Sequence, residues 1–222
     1  MKKSETGFDR VAGWYDGLKG LVFGRELDEA VCGIVRQIPA NRRILVVGGG
    51  TGRSLLPALM HQRPACIHYL EASAGMLARA QAVLPAAAIP LVWQHGTAAD
   101  LSPDLVFEVV ITPFVLDLFP EAELEAEMDH LAGHLRQGGL WLVSDFRQPP
   151  GWRGGPARLL IGFMYSFFRL TAGITARHLP AWEEAFARRG YELCASEDRL
   201  GGLVRSQIWR KPGPEAEVSS LA

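Results

Sequence analysis

Ile44-Leu45-Val46-Val47-Gly48-Gly49-Gly50-Thr51-Gly52 is a short apolar strand that runs straight into a glycine-rich turn, ahead of a helical pattern. A strand that turns tightly into a helix demands φ values that residues with a Cβ resist. A Cβ would also hold a ligand off the backbone. The spacing carries further information. Gly48, Gly50 and Gly52 read G-x-G-x-G, whereas the dinucleotide fingerprint G-x-G-x-x-G needs a glycine where Arg53 stands. A phosphate-cradling P-loop is disfavoured more strongly, because no Gly-Lys-Ser/Thr follows. The turn therefore points to a nucleotide-type ligand and away from a nicotinamide dinucleotide.

Outward from this turn, strands and helices alternate. Residues 42–47 form a first strand, too continuously apolar for a sheet with one wet face. Residues 52–62 read as a helix that tolerates Pro57 only near its first turn. Residues 65–70 are a second strand closing on Glu71, and Ser73 caps a helix that stops before Pro85. Third and fourth strands fall at 90–94 and 107–112. Leu124, Met128, Leu131 and Leu135 share one face of a helix over 121–136, ended by Gly138-Gly139, and 140–144 is a fifth strand. A helix over 180–189 precedes strands at 191–196 and 203–210, joined closely enough for a hairpin. This alternation predicts an α/β fold with a doubly wound, mostly parallel, seven-stranded sheet and an antiparallel last strand. Ahead of it, residues 1–40 form a helical cap, with Leu27, Val31, Ile34 and Val35 at helical spacing. Residues 1–211 read as one domain with an inserted lid over 146–180, and 212–222 as a disordered tail.

The 222 residues suffice for a sizeable core. A formal net charge of −1, from 23 basic and 24 acidic side chains, gives no global drive toward nucleic acid or an anionic membrane. Cys32, Cys66 and Cys194 are widely spaced among apolar residues and form no C-x-x-C pair, so they read as buried, reduced thiols in a cytoplasmic protein with no metal site. The N-terminus lacks the apolar core of a signal peptide, and no uncharged run approaches the ~20 residues of a membrane-spanning helix.

In doubly wound sheets, ligands sit outside the carboxyl ends of the strands, where the glycine turn, Glu71, Thr97 and Thr112 all fall. Glu71, 19 residues beyond Gly52, can accept hydrogen bonds from ribose hydroxyls. At this point the sequence resembles the class I S-adenosylmethionine-dependent methyltransferases, in particular the ubiquinone and menaquinone biosynthesis branch. Residues 44–52 look like that family's first motif, and Leu70-Glu71-Ala72-Ser73-Ala74-Gly75-Met76-Leu77 like its ribose-binding strand and helix. Gly96-Thr97-Ala98-Ala99-Asp100-Leu101 resembles its adenine-contacting segment, and 107–116 its fourth strand and loop. Phe8-Asp9-Arg10-Val11-Ala12-Gly13-Trp14-Tyr15-Asp16 resembles the opening motif of the quinone-type branch. The resemblance implies S-adenosylmethionine as cofactor, held by Gly48, Gly49, Gly50, Gly52, Glu71, Ala72, Met76, Thr97, Ala98, Thr112 and Phe114. Tyr15 would close over the cofactor, and Asp117 in the loop after the fourth strand would face substrate and remove a proton. His178 is a further candidate base.

Two residues depart from the family's pattern. Val46 and Thr97 stand where it commonly carries acids, the second of which meets the adenine amino group. Val46 accepts no hydrogen bond, while Thr97 accepts one through its hydroxyl. A catalytically silent relative acting as an assembly partner is therefore a second reading. Between Phe146 and Trp182 there is no acid, and Arg147, Arg153, Arg158, Arg169 and Arg177 interleave with aromatic residues. As a lid this segment favours a small hydrophobic or aromatic acceptor, and residues 147–177 can touch a membrane surface. Nucleic acid fits poorly, because basic residues are not concentrated elsewhere.

Overall fold

The computed structural model describes residues 25–84, 89–147 and 179–213. Most of the expected cap, lid residues 148–178 and the tail beyond 213 lie outside the described residues. Within them the chain runs α1 (Glu26–Val35), β1 (Arg43–Val47), α2 (Leu55–His61), β2 (Cys66–Glu71), α3 (Ala74–Val83), β3 (Leu91–His95) and β4 (Phe107–Pro113). It continues through α4 (Glu121–Gly133), β5 (Leu135–Phe146), α5 (Trp182–Arg188), β6 (Glu192–Arg199) and β7 (Val204–Arg210).

The seven strands form one sheet in the order β3-β2-β1-β4-β5-β7-β6. The pairs from β3 to β5 are parallel, and β7 runs antiparallel to both β5 and β6. The Rossmann-like, doubly wound sheet expected from the alternation is thus the one observed. Its chain leaves β1 on one side toward β3, then returns to β4 on the other. That reversal opens a crevice at the carboxyl ends of β1 and β4, where the glycine turn lies.

The two-residue period of each strand divides the core between the sheet's faces. Leu45 and Val47 pack with Leu124, Met128 and Leu131 of α4 and Trp182 and Phe186 of α5. Ile44 and Val46 pack on the opposite face with Ile34 of α1, Leu56 and Leu59 of α2 and Leu77 of α3. Both sets are buried, which explains why β1 reads as an unbroken apolar run. Pro57 occupies the first turn of α2, where its missing N–H costs nothing. Ser73 caps α3 by accepting a hydrogen bond from Met76 N–H at 3.2 Å.

Two expectations are corrected. The helix over 121–136 ends at Gly133, and the glycine pair Gly138-Gly139 lies within β5. Leu135 continues the apolar face of α4, but its backbone already pairs with Phe107. Lys211, from beyond β7, donates through Nζ to the carbonyls of Ala132 (2.7 Å) and Leu135 (2.8 Å) and so closes the helix end. The cysteines are also not uniformly buried: Cys32 is buried, Cys66 partly so and Cys194 exposed. Cys194 lies on β6, an outermost strand whose residues are largely exposed on both faces. Among the described residues, no helix is long and apolar enough to cross a membrane.

Candidate active site

The four glycines of the turn have different reasons for being glycine. Gly48 (φ +66°) is crowded by Val115, whose Cγ2 would lie 2.5 Å from a Cβ there. Gly52 (φ +63°) is crowded by Leu56, with Cγ at 2.9 Å. At Gly49, whose φ is ordinary, a Cβ would fall on the hydroxyl of Tyr69 and 2.5 Å from its Cζ. Gly50 (φ +61°) is the exception: a Cβ there would meet only Met76 Sδ, at 3.8 Å. The free volume of the turn therefore lies over Gly50, next to Met76 of α3.

Glu71 closes the same space from the end of β2. One carboxylate oxygen accepts from Gly50 N–H at 2.8 Å and the other from Ser73 N–H at 2.9 Å, with Ala72 N–H a third donor. Burial raises the Glu71 pKa above the ordinary carboxylate value, and these backbone N–H groups oppose the shift. Ala72 is half-buried, and its carbonyl pairs with His95 Nε2 at 3.0 Å.

The segment after β3 is a 3₁₀ turn, Ala98–Asp100, closed by a capping box. Asp100 accepts from Thr97 N–H at 2.7 Å and from the Thr97 hydroxyl at 3.0 Å. The same hydroxyl accepts from Asp100 N–H, so Thr97 is bound first to its own turn. Ala98 is buried, and its carbonyl pairs with His130 Nε2 at 2.8 Å. Val46 is fully buried, in register between Tyr69 and Ile111.

At the ends of β4 and β5 the chain builds a second polar centre. Thr112 is buried and its hydroxyl accepts from Trp141 Nε1 at 3.0 Å. Phe114 adopts φ +56°, rare for an aromatic residue, and its ring packs 5.2 Å from that of Phe146. Asp117 is buried in the 3₁₀ turn Leu116–Leu118, where it meets Asp145, the penultimate residue of β5. Asp145 accepts from the N–H groups of Leu116 (2.9 Å), Asp117 (3.2 Å) and Phe146 (3.0 Å) and is hydrogen-bonded to the Asp117 side chain. Burial, with the neighbouring Asp117 carboxyl acting in the same direction, holds Asp145 well above the ordinary carboxylate range. Tyr15 and His178 lie outside the described residues.

Residues 44–139 match the family described as a methyltransferase domain. The match is to a methyltransferase domain and covers less than half of the chain. No curated protein matches the sequence. Among solved structures, the chain is similar to the N-methyltransferase NodS of Bradyrhizobium japonicum WM9, crystallised with S-adenosyl-L-homocysteine: 13% identity, 95% of this chain and 99% of that one, TM-score 0.67. A putative methyltransferase in complex with the Haloferax volcanii Trm112 methyltransferase activator matches at 14% identity over 92% and 98% of the two chains, TM-score 0.66. The 1,6-didemethyltoxoflavin-N1-methyltransferase of Burkholderia thailandensis matches at 14% identity over 93% and 87%, TM-score 0.63. At these identities the likeness is one of fold.

The residues at this turn fit S-adenosylmethionine, the cofactor that the sequence resemblance implies. The space over Gly50 is one that a Cβ would intrude on. It is flanked by a carboxylate with three of about four acceptor positions filled, which leaves one for a ribose hydroxyl. Gly50, Glu71, Ala72 and Met76 come together at this point. Thr97 and Ala98 approach from the end of β3, while the Thr112 side chain turns into the core. Sequence reasoning missed Tyr69 and Asp145. An acid at the carboxyl end of an apolar strand was a usable signal for Asp145, whereas nothing local marks Tyr69.

Proposed function

We propose that this domain methylates a small, hydrophobic or aromatic acceptor. The observation that carries the reading is the open space over Gly50, bounded by Glu71 and Met76 at the reversal point of the sheet. When bound, S-adenosylmethionine supplies a methyl group already activated on a sulfonium sulfur. The chain then needs to hold a nucleophile in line with that methyl group and keep water out, so proximity and orientation supply most of the rate. Glu71 holds the ribose, Gly50 lets the backbone approach, and Met76 covers the apolar side. Phe114 and Phe146 make an aromatic edge at the ends of β4 and β5, in keeping with an apolar acceptor. The acid-free, arginine- and aromatic-rich composition of 147–177 supports a lid, and a membrane-surface contact of that segment is part of the same proposal. The motif at 8–16 supports the quinone-type branch, with Tyr15 closing over the cofactor and His178 a candidate base. Asp117, buried against Asp145, suits holding the 115–118 turn better than removing a proton.

The test is calorimetric titration of the stripped protein with S-adenosylhomocysteine. Micromolar binding that is lost in Glu71→Ala is the expected result; no binding to the wild type overturns the reading. In that case a second reading leads, a catalytically silent assembly partner. Val46, apolar and fully buried, and Thr97, committed to Asp100, favour it. The activator bound by the similar Haloferax protein makes a protein partner its natural object.

A further inference from the structure

We propose that Tyr69 is a positioning residue for the cofactor turn, its phenol occupying the place of a side chain at position 49 and anchoring Gly50 from below. The proposal rests on the methyltransferase reading of that turn. Tyr69 lies in the middle of β2, fully buried, with its ring 5.2 Å from Trp93. Its hydroxyl leaves the core and donates to the Gly50 carbonyl at 3.0 Å. A buried tyrosine hydroxyl needs some partner. This one also shapes what it touches: it leaves no room for a Cβ at Gly49, and a Cβ at Gly52 would lie 3.1 Å from it. The backbone at Gly49 does not require glycine; Tyr69 does.

Gly50 is consequently held by β2 at both of its polar groups. Tyr69 takes the carbonyl, and Glu71, two residues further along the strand, takes the N–H. A glycine at φ +61° has little steric preference of its own. These two bonds set its peptide planes before a ligand arrives, so ordering them costs no affinity on binding. Burial first, and then the negative charge of Glu71, keep the phenol protonated beyond its ordinary range, so it remains a donor. Its register partner on β1 is Val46, the position where the family resemblance expects an acid. With valine there, Tyr69 is the polar side chain that reaches the turn from this part of the core.

The experiment is titration with S-adenosylhomocysteine together with thermal melting, on wild type, Tyr69→Phe, Ile67→Val, Gly49→Ala and Gly49→Ala/Tyr69→Leu, with Tyr69→Leu completing the cycle. Tyr69→Phe keeps the ring and loses the hydroxyl, and affinity should fall about tenfold. Ile67→Val loosens the same buried strand without touching the turn. It should lower the melting temperature and leave affinity unchanged, which separates positioning from mere destabilisation. Gly49→Ala should impair both properties when Tyr69 is present and cost little in the Tyr69→Leu background, where the shorter side chain vacates the space. Wild-type affinity in Tyr69→Phe overturns the proposal, whether or not the double variant folds. An equal cost of Gly49→Ala in both backgrounds also overturns it. If the wild type binds nothing, the cofactor reading itself has failed and the proposal falls with it; binding by wild type with no response in Tyr69→Phe sinks the proposal alone.

Discussion

At the scale of single residues, a glycine that borders open space differs from one packed against protein. Gly50 and Gly52 share a positive φ, so alanine at either incurs a backbone cost of about 1–2 kcal/mol. Beyond that cost they should part. Gly50→Ala places its methyl in open space, and we expect S-adenosylhomocysteine affinity to fall at least tenfold with a cooperative melt retained. Gly52→Ala drives its methyl into Leu56 and Tyr69, and the overpacking adds about 1–3 kcal/mol, visible in denaturant titration. Equal binding losses in two equally stable variants would contradict the assignment of the free space. Glu71 yields a pH dependence at the same scale. Its pKa is raised by burial, and only the ionised form offers all its acceptor positions. Affinity should therefore weaken as pH falls through that raised value, beginning at higher pH than for an ordinary carboxylate. Glu71→Gln should bind more weakly and give a flatter profile.

Elements come next, and here local pattern was legible to a measurable extent. Ser73 as cap, Pro57 in a first turn and the apolar face of α4 all follow from rules that act within a few residues, and each holds. The end of α4 obeys a longer-range partner. Lys211 arrives from 76 positions beyond Leu135 to bind the carbonyls there, so Leu135 leaves the helix even though its side chain continues the stripe. Removing that donor with Lys211→Met should cost about 1–2 kcal/mol. The expected fall in melting temperature is about 3–6 °C. An unchanged melting temperature would show that water serves those carbonyls equally well. Cys194 teaches the same lesson: apolar neighbours in sequence do not bury a residue on an outermost strand, because no layer covers it.

For the molecule as a whole, the acid pair Asp117 and Asp145 couples two strand ends and makes stability depend on pH. A carboxyl whose folded pKa lies above its unfolded value binds its proton more tightly when folded. Stability is then present below the unfolded pKa and declines as pH rises through the folded one. In Asp117→Asn the neighbouring charge is gone and an amide donates to Asp145. We expect the variant to gain on wild type as pH rises from about 5 to about 8, above the ordinary carboxylate range. Denaturant titrations at the two pH values measure this, and a constant difference between the proteins would refute the coupling. The pair could not be read from sequence, since its members are 28 residues apart and meet only because β4 and β5 lie side by side. What the chain's order of residues determined by itself is the alternation of strands and helices, the glycine turn and the acid after the second strand. Those signals reside in backbone geometry and in the burial period of contiguous residues. Which glycine borders open space, that Tyr69 fills the place of a side chain at Gly49, and that Thr97 is spent on Asp100 were decided by tertiary structure. Each depends on how much space and hydrogen-bonding capacity remains after side chains from other turns and strands have taken theirs.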